Sequence, residues 1–159
     1  MDRSPATPGS QPLSALRPSY DVQELAAHIK ASMPRCGEVR VVTIDGPAGA
    51  GKSTLAALLS EALEGCPVVH MDDLYEGWTQ DISRTLAERV QAWLLVPLRS
   101  GLPGHYLRYD WFAGRYAEWL EVPHSPIIII EGVSAGHPAI AMRAAFNIWI
   151  EAQPDMLME

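Results

Sequence analysis

The chain has 159 residues, the size of one ordinary domain, so separate full-sized cofactor and substrate domains are not expected. Hydrophobic residues make up 48% and charged residues 19%, which are globular proportions rather than those of a disordered chain. A formal net charge of −7 argues against a nucleic-acid backbone or an anionic membrane surface as the main partner, although a local site of opposite sign can still take a small anion.

Residues 1–19 carry Pro5, Pro8, Pro12 and Pro18 among Ser, Thr and Gly, without an apolar core like that of a secretory signal; they read as a disordered lead-in to a domain over 20–159. Val22, Leu25, Ala26, Ile29 and Met33 follow a helical period between Asp21, a cap, and Pro34, a stop. Val39 to Ile44 is rich in β-branched residues and ends in Asp45-Gly46, a buried strand entering a tight turn. Leu55, Leu58, Leu59, Ala62 and Leu63 then predict a helix that Gly65 stops.

A second strand is expected from Pro67 to Met71 and a helix from Ser83 to Leu95, with Leu86, Val90, Trp93 and Leu94 on one face. Gly101 to Tyr116 reads as loop and short helix, because Pro103, Gly104 and Gly114 interrupt any long period. Ile127 to Ile130, the longest conspicuous apolar run, is too short to span a bilayer and suits a central parallel strand. A helix from Pro138 to Ala145 and a strand from Phe146 to Ile150 follow. The alternation predicts an α/β, three-layer fold on a parallel sheet of about four strands. Cys36 and Cys66 form no C-x-x-C pair and no zinc spacing, so reduced thiols in a soluble, cytoplasmic protein are expected.

Gly46-Pro47-Ala48-Gly49-Ala50-Gly51-Lys52-Ser53 matches G-x-x-x-x-G-K-[ST] in full, between a predicted strand and a predicted helix as that motif requires. Glycines let successive N–H groups turn inward on a polyphosphate, and the helix adds the positive end of its dipole. Gly46, Ala48, Gly49, Ala50, Gly51, Lys52, Ser53 and Thr54 are therefore the candidate nucleotide-binding residues. Lys52 is placed to neutralise the β- and γ-phosphates of ATP, and the Ser53 hydroxyl to ligate Mg²⁺. No Asn-Lys-x-Asp string is present, which disfavours a GTP-driven switch.

Ligands of an open parallel sheet bind beyond the carboxyl ends of its strands. Asp72 and Asp73 follow the second strand and Glu131 the third. Phosphoryl transfer needs one carboxylate to take the acceptor's proton and others near the metal, so Asp72 is the candidate base, and Ser53, Asp72 and Glu131 the candidate metal set.

In these elements the chain resembles the uridine kinase branch of the P-loop kinases. The resemblance runs from Val39 to Glu151 and rests on Ile44-Asp45-Gly46-Pro47-Ala48-Gly49-Ala50-Gly51-Lys52-Ser53, Met71-Asp72-Asp73-Leu74-Tyr75, Tyr109-Asp110-Trp111 and Ile130-Glu131-Gly132. It implies a kinase transferring the γ-phosphate of Mg·ATP to a hydroxyl of a nucleoside-like acceptor. Asp72 corresponds to the family's catalytic, metal-associated aspartate and Glu131 to its acidic residue near the metal. Tyr75, Tyr109 and Trp111 match residues lining the nucleoside pocket, where aromatic faces suit a flat base, with Arg108 and Arg115 beside them. A histidine that the family carries after its aromatic element is replaced here by Ala113-Gly114-Arg115. The family continues past the equivalent of Glu151 into an arginine-bearing lid and a further strand, so both are expected to be missing from a chain ending at Glu159.

Alternatives from the same residues are a kinase for pantothenate, a sugar or a nucleotide, or a nucleotide-binding module without catalysis. Trp78, Trp93, Trp119 and Trp149, with Met33 and Met142, read as packing residues. His105 is a weak pocket candidate, and the remaining histidines form no interpretable spacing.

Overall fold

A computed structural model describes residues 20–75 and 82–151; the lead-in over 1–19 and Trp78 lie outside the described residues. Helix α1 (Val22–Ala31) begins where the Asp21 carboxylate accepts from the amides of Gln23 and Glu24 at 2.9 and 3.2 Å, the capping its position foretold. Strand β1 (Arg40–Asp45) leads through the glycine loop into helix α2 (Lys52–Ala62). Strand β2 (Val68–His70) ends in a single 3₁₀ turn, Met71–Asp73. Helix α3 (Ile82–Val90) continues through a wide π turn, Gln91–Leu95, into the short helix α4 (Val96–Arg99). Pro97 explains the widening, because its ring crowds the carbonyl four residues back and leaves it no amide to accept from.

The expectation of loop and short helix over Gly101 to Tyr116 is corrected: most of that segment, continued to Val122, forms an antiparallel hairpin, β3 (Gly104–Asp110) and β4 (Arg115–Val122). The breakers sit where a hairpin wants them. Gly104 opens β3, and Gly114 lies in the turn at φ +71°, donating to the Asp110 carbonyl at 2.8 Å. Asp110 Oδ1 accepts from the amides of Phe112 and Ala113, an Asx turn that closes the loop. The period of two was hidden because half-exposed Arg108 and Tyr109 and exposed His105 alternate with few purely apolar neighbours.

Strand β5 (Ile127–Glu131), helix α5 (Pro138–Ala141) and strand β6 (Ala144–Trp149) follow. The expected last helix is therefore shorter, and the last strand starts two residues earlier. The four strands β1, β2, β5 and β6 form one parallel sheet in the order β2-β5-β1-β6. This is the α/β architecture read from the alternation.

Each face of the sheet buries its own cluster. On one side Val42, Ile44 and Ile129 pack with Ala26 and Ile29 of α1 and Leu55, Ala56 and Leu59 of α2. On the other, Val41, Ile128 and Ile130 meet Leu86, Val90, Leu94 and Leu98 from the α3–α4 region, together with Tyr106 and Val122 of the hairpin. Alternate residues of β1 and β5 thus serve opposite faces, which is why both strands read as unbroken apolar runs. Each fully buried Ile or Leu contributes about 1.5–3 kcal/mol, and together they clamp the carboxyl ends of β1, β2 and β5 side by side.

Four supposed packing residues are not core. Met33, Met142, Trp119 and Trp149 are 78, 57, 56 and 62% exposed. Met33 falls beyond α1, and Trp149 ends β6, which among the described strands is an edge. Trp93 does pack half-buried against the core, with Trp119 edge-on at 5.3 Å.

Candidate active site

The glycine loop closes the carboxyl end of β1 and hands over to α2 at Gly51, whose φ of +96° no side-chain-bearing residue adopts cheaply. Lys52 is the first residue of the helix and is buried; its Nζ donates to the Pro47 carbonyl at 2.8 Å, so the side chain arches back over the loop. Ser53 and Thr54 follow on the exposed rim.

Glu131 ends β5 opposite Ile44 of β1 and opposite His70 of β2. It is 5% exposed, and one of its oxygens, Oε2, accepts both from Ser53 Oγ at 3.0 Å and from His70 Nδ1. Burial alone pushes the carboxyl up, but the hydrogen bonds from His70 and Ser53, aided by the charges of His70 and Lys52, outweigh it and hold Glu131 below its usual range. The same hydrogen bond raises His70 above an ordinary histidine, against its partial burial.

A cavity of about 400 Å³ opens over the loop, lined by Ala48, Gly49, Gly51, Lys52, Ser53, Thr54, Asp72, Glu131, Gly132 and Val133. Six of the eight candidate nucleotide-binding residues line it; Gly46 and Ala50 lie buried beneath. Asp72 reaches it from the 3₁₀ turn after β2. The cradle suits a polyphosphate: Gly49 and Gly51 have φ of +81° and +96°, and a Cβ on either would meet no protein atom within 4 Å. Their bareness serves backbone shape and the approach of a ligand rather than protein packing.

The donors also suit Mg²⁺, a hard cation usually held by one or two protein oxygens plus phosphates and water. Ser53, Glu131 and Asp72 supply such oxygens on one cavity. No cluster of three or more His, Cys, Asp or Glu that could hold a metal unaided occurs among the described residues.

The aromatic set gathers on the Asp72 side. Trp111, in the hairpin turn, donates its indole N–H to the Asp72 carbonyl at 2.8 Å. Edge-on contacts link Trp111 to Tyr75 at 6.0 Å and to Tyr109 at 5.3 Å, and Tyr109 to Tyr116 at 5.4 Å. Tyr75 is buried and donates to the Val133 carbonyl at 3.1 Å; burial, with the charges of Asp72, Asp45 and Glu131, pushes its phenol up to about 12. Asp73 turns away toward Tyr106, and burial raises its carboxyl. Arg108 forms a two-pronged pair with Glu118 across the hairpin at 2.5 and 3.1 Å. None of Tyr75, Tyr109, Trp111 or Arg108 lines the cavity itself. His105 faces Glu121 at 3.5 Å across the hairpin, also away from it.

Four participants, His70, Gly132, Val133 and Asp45, were not legible as a spacing. His70 meets Glu131 only because β2 pairs with β5 in a register that aligns their last residues. Gly132 and Val133 complete the cavity wall, and Asp45 joins the loop after β5 to the end of β1. The signal available for His70 was its position at a strand terminus, two residues before Asp72.

No family model and no curated protein matches the chain. Among solved structures it is similar to a possible uridine kinase from Bacillus stearothermophilus, with 25% identity, a TM-score of 0.63, and 80% of this chain and 78% of that one covered. It is similar in fold to a candidate fructose transport system kinase from a Silicibacter species, with 21% identity, a TM-score of 0.62, and 87% and 78% covered. The architecture is that of the P-loop kinases.

Proposed function

We propose that this protein is a phosphotransferase of the P-loop kinase type that moves the γ-phosphate of ATP, as its Mg²⁺ complex, to a hydroxyl of a nucleoside or similar small alcohol. The observation carrying the reading is one cavity lined both by the phosphate loop, from Ala48 to Thr54, and by the carboxylates Asp72 and Glu131, the latter bonded to Ser53 of the loop. The likeness to kinase structures supports phosphotransfer of some kind; the nucleoside-like acceptor rests on the aromatic group around Asp72.

Backbone amides of the loop bind the phosphates, and Lys52 swings from the Pro47 carbonyl to the β- and γ-phosphates, exchanging a neutral acceptor for an anionic one. Ser53 and Glu131 hold the metal side, where Mg²⁺ supplies charge neutralisation to the phosphates. Asp72 orients the acceptor hydroxyl and takes its proton as that oxygen bonds to the γ-phosphorus and the bond to the ADP oxygen breaks. Trp111 and Tyr109 offer aromatic faces beside Asp72 for a flat acceptor.

Two buried free cysteines, in separate clusters, are consistent with a reducing compartment, and the cytoplasm is the proposed location. No helix of the described residues is long and apolar enough to cross a membrane.

A transfer assay with γ-labelled ATP against nucleosides, free sugars, pantothenate and nucleotides tests the reading. Label on a nucleoside, dependent on Mg²⁺, is expected. Label on another acceptor keeps the donor half and replaces the acceptor half, whereas ATP binding with no transfer selects a nucleotide-binding module.

A further inference from the structure

The cavity has an acidic neighbour that neither lines it nor enters the transfer scheme. Asp45, the last residue of β1, spends both carboxylate oxygens on backbone amides: Oδ1 accepts from Gly46 at 2.7 Å and Ser134 at 3.1 Å, and Oδ2 from Gly136 at 2.8 Å. Two of those amides belong to the loop that leaves Glu131. Just before them, the Gly132 amide donates to the Ile44 carbonyl at 3.0 Å. The loop after β5 is thus fastened to the end of β1 at three successive points.

That loop has two turn hydrogen bonds of its own, Ala135 N–H to the Gly132 carbonyl and His137 N–H to the Ser134 carbonyl, both at 3.0 Å, and holds a strained residue between them. Ser134 sits at φ +79°, a conformation that residues with side chains keep only where their surroundings over-determine it. Gly136 is pressed against the clasp, since a Cβ there would lie 3.1 Å from Asp45 Oδ2. An ionised carboxylate makes stronger bonds to amides than a neutral acceptor does, so the residue type fits the task. It also carries an electrostatic cost: a fixed negative charge at the start of a loop built for phosphates opposes the ligand. An acidic residue placed there at that cost fits a task elsewhere, and its oxygens go to the Ser134 and Gly136 amides.

We propose that Asp45 is a positioning residue that clasps the loop after β5 and thereby keeps Glu131 against Ser53 on the metal side of the phosphate loop. The inference rests on the reading of the cavity as a Mg·ATP site and adds to it a residue acting through another. In Asp45→Asn the side chain keeps its shape but offers one oxygen. If that oxygen serves Gly46 and Ser134, the new NH₂ faces the Gly136 N–H, donor against donor, and the loop is released at that end.

The test combines amide hydrogen exchange of the full chain with calorimetric titration of ATP, with and without Mg²⁺. For Asp45→Asn the expected result is exchange at least about tenfold faster at Ser134 and Gly136, with the β1 amides of Val42 and Ile44 unchanged. Metal-free ATP affinity stays within about threefold of the wild type, while the gain in affinity on adding Mg²⁺ shrinks at least about fivefold. In a Glu131→Gln background the same change leaves that gain where it already stood. Gly136→Ala, which keeps the Asp45 charge but crowds Oδ2, shifts both readings the same way and carries the test if Asp45→Asn does not fold. Unchanged exchange at the two amides overturns the clasp. Faster exchange with a full Mg²⁺ gain, or an equal loss in the Glu131→Gln background, overturns the link to Glu131. A wild-type chain that binds no ATP overturns the nucleotide reading of the cavity, and the metal-side role with it.

Discussion

On the phosphate-loop side of the cavity, eight consecutive residues from Gly46 to Ser53 make the cradle, and a long-range hydrogen bond reaches it at Ser53 from Glu131, which His70 meets in turn. On the aspartate side the contacts that join the elements are long-range: Trp111 reaches Asp72 from 39 residues away, and Tyr75 reaches Val133 across 58. The first side is a local device that the backbone makes almost by itself. The second is assembled by packing a hairpin against a 3₁₀ turn. Changes on the first side should therefore act on ATP, and changes on the second on the acceptor and on turnover.

The largest separation is expected from Asp72→Asn. The amide keeps the shape but cannot take a proton, so kcat should fall by about 10²–10⁴, with ATP affinity held within a few-fold. Steady-state kinetics with whichever acceptor the transfer assay finds, alongside ATP titration, reads both; unaltered kcat removes Asp72 as base.

Next in size is Gly132→Ala, at the joint between the two sides. Gly132 has φ +141°, and a Cβ there would lie 2.6 Å from the Met71 Cβ. Strain and overpacking at about 1–3 kcal/mol each should lower the thermal midpoint by several degrees and weaken ATP binding and turnover together. A variant as stable as the wild type contradicts this reading of the joint.

Trp111→Phe isolates the aspartate side, since it keeps an aromatic face and deletes the N–H that holds the Asp72 carbonyl. The lost hydrogen bond costs about 0.5–1.5 kcal/mol. Acceptor KM should rise or kcat fall while ATP affinity stays unchanged; a loss confined to ATP affinity would reverse the assignment of sides.

The smallest effect concerns pH and the metal-free protein. Glu131 raises the folded-state pKa of His70, so the pair's contribution through His70 is complete below the ordinary histidine value of about 6.5 and fades as pH rises through the raised value. The Glu131 carboxyl is lowered, so its contribution stands above an ordinary glutamate's value of about 4.3 and is lost as pH falls through the lowered one. His70→Gln should cost stability near pH 6 and nothing at high alkaline pH. With the His70 side chain 46% exposed, solvent screening keeps the difference to about 1 kcal/mol or less. Denaturant melts at several pH values check it, and a pH-independent difference would show that the His70–Glu131 contact is not an ion pair.

What could be read from the sequence follows the same division. Alternating β-branched runs and helical periods located all four parallel strands and α1 to α3, because burial on both faces of β1 and β5 leaves a continuous apolar signature. The motif spacing located the phosphate loop, since its function is encoded in adjacent residues. The hairpin escaped, its pattern blurred by Arg108 and His105, whose partners Glu118 and Glu121 lie on the other strand. Asp45 and His70 escaped as well: each owes its role to strand pairing, and neither has its key partner within sixty residues along the chain. Exposed Met33, Met142, Trp119 and Trp149 show the opposite error, where apolar character was read as burial.

The measurement that bears most directly on the central claim is calorimetric titration of Mg·ATP into the wild type and into Lys52→Ala. The lysine head donates a hydrogen bond to the Pro47 carbonyl, a neutral acceptor, and its charge, which helps hold Glu131 ionised, is at hand for a phosphate. A charged hydrogen bond to phosphate is worth about 1.5–3 kcal/mol, so affinity should fall by about tenfold or more while the thermal midpoint stays nearly constant. Mg·ATP binding of unchanged strength to folded Lys52→Ala would contradict the account, because the loop from Gly46 to Ser53 would then not be where the nucleotide sits.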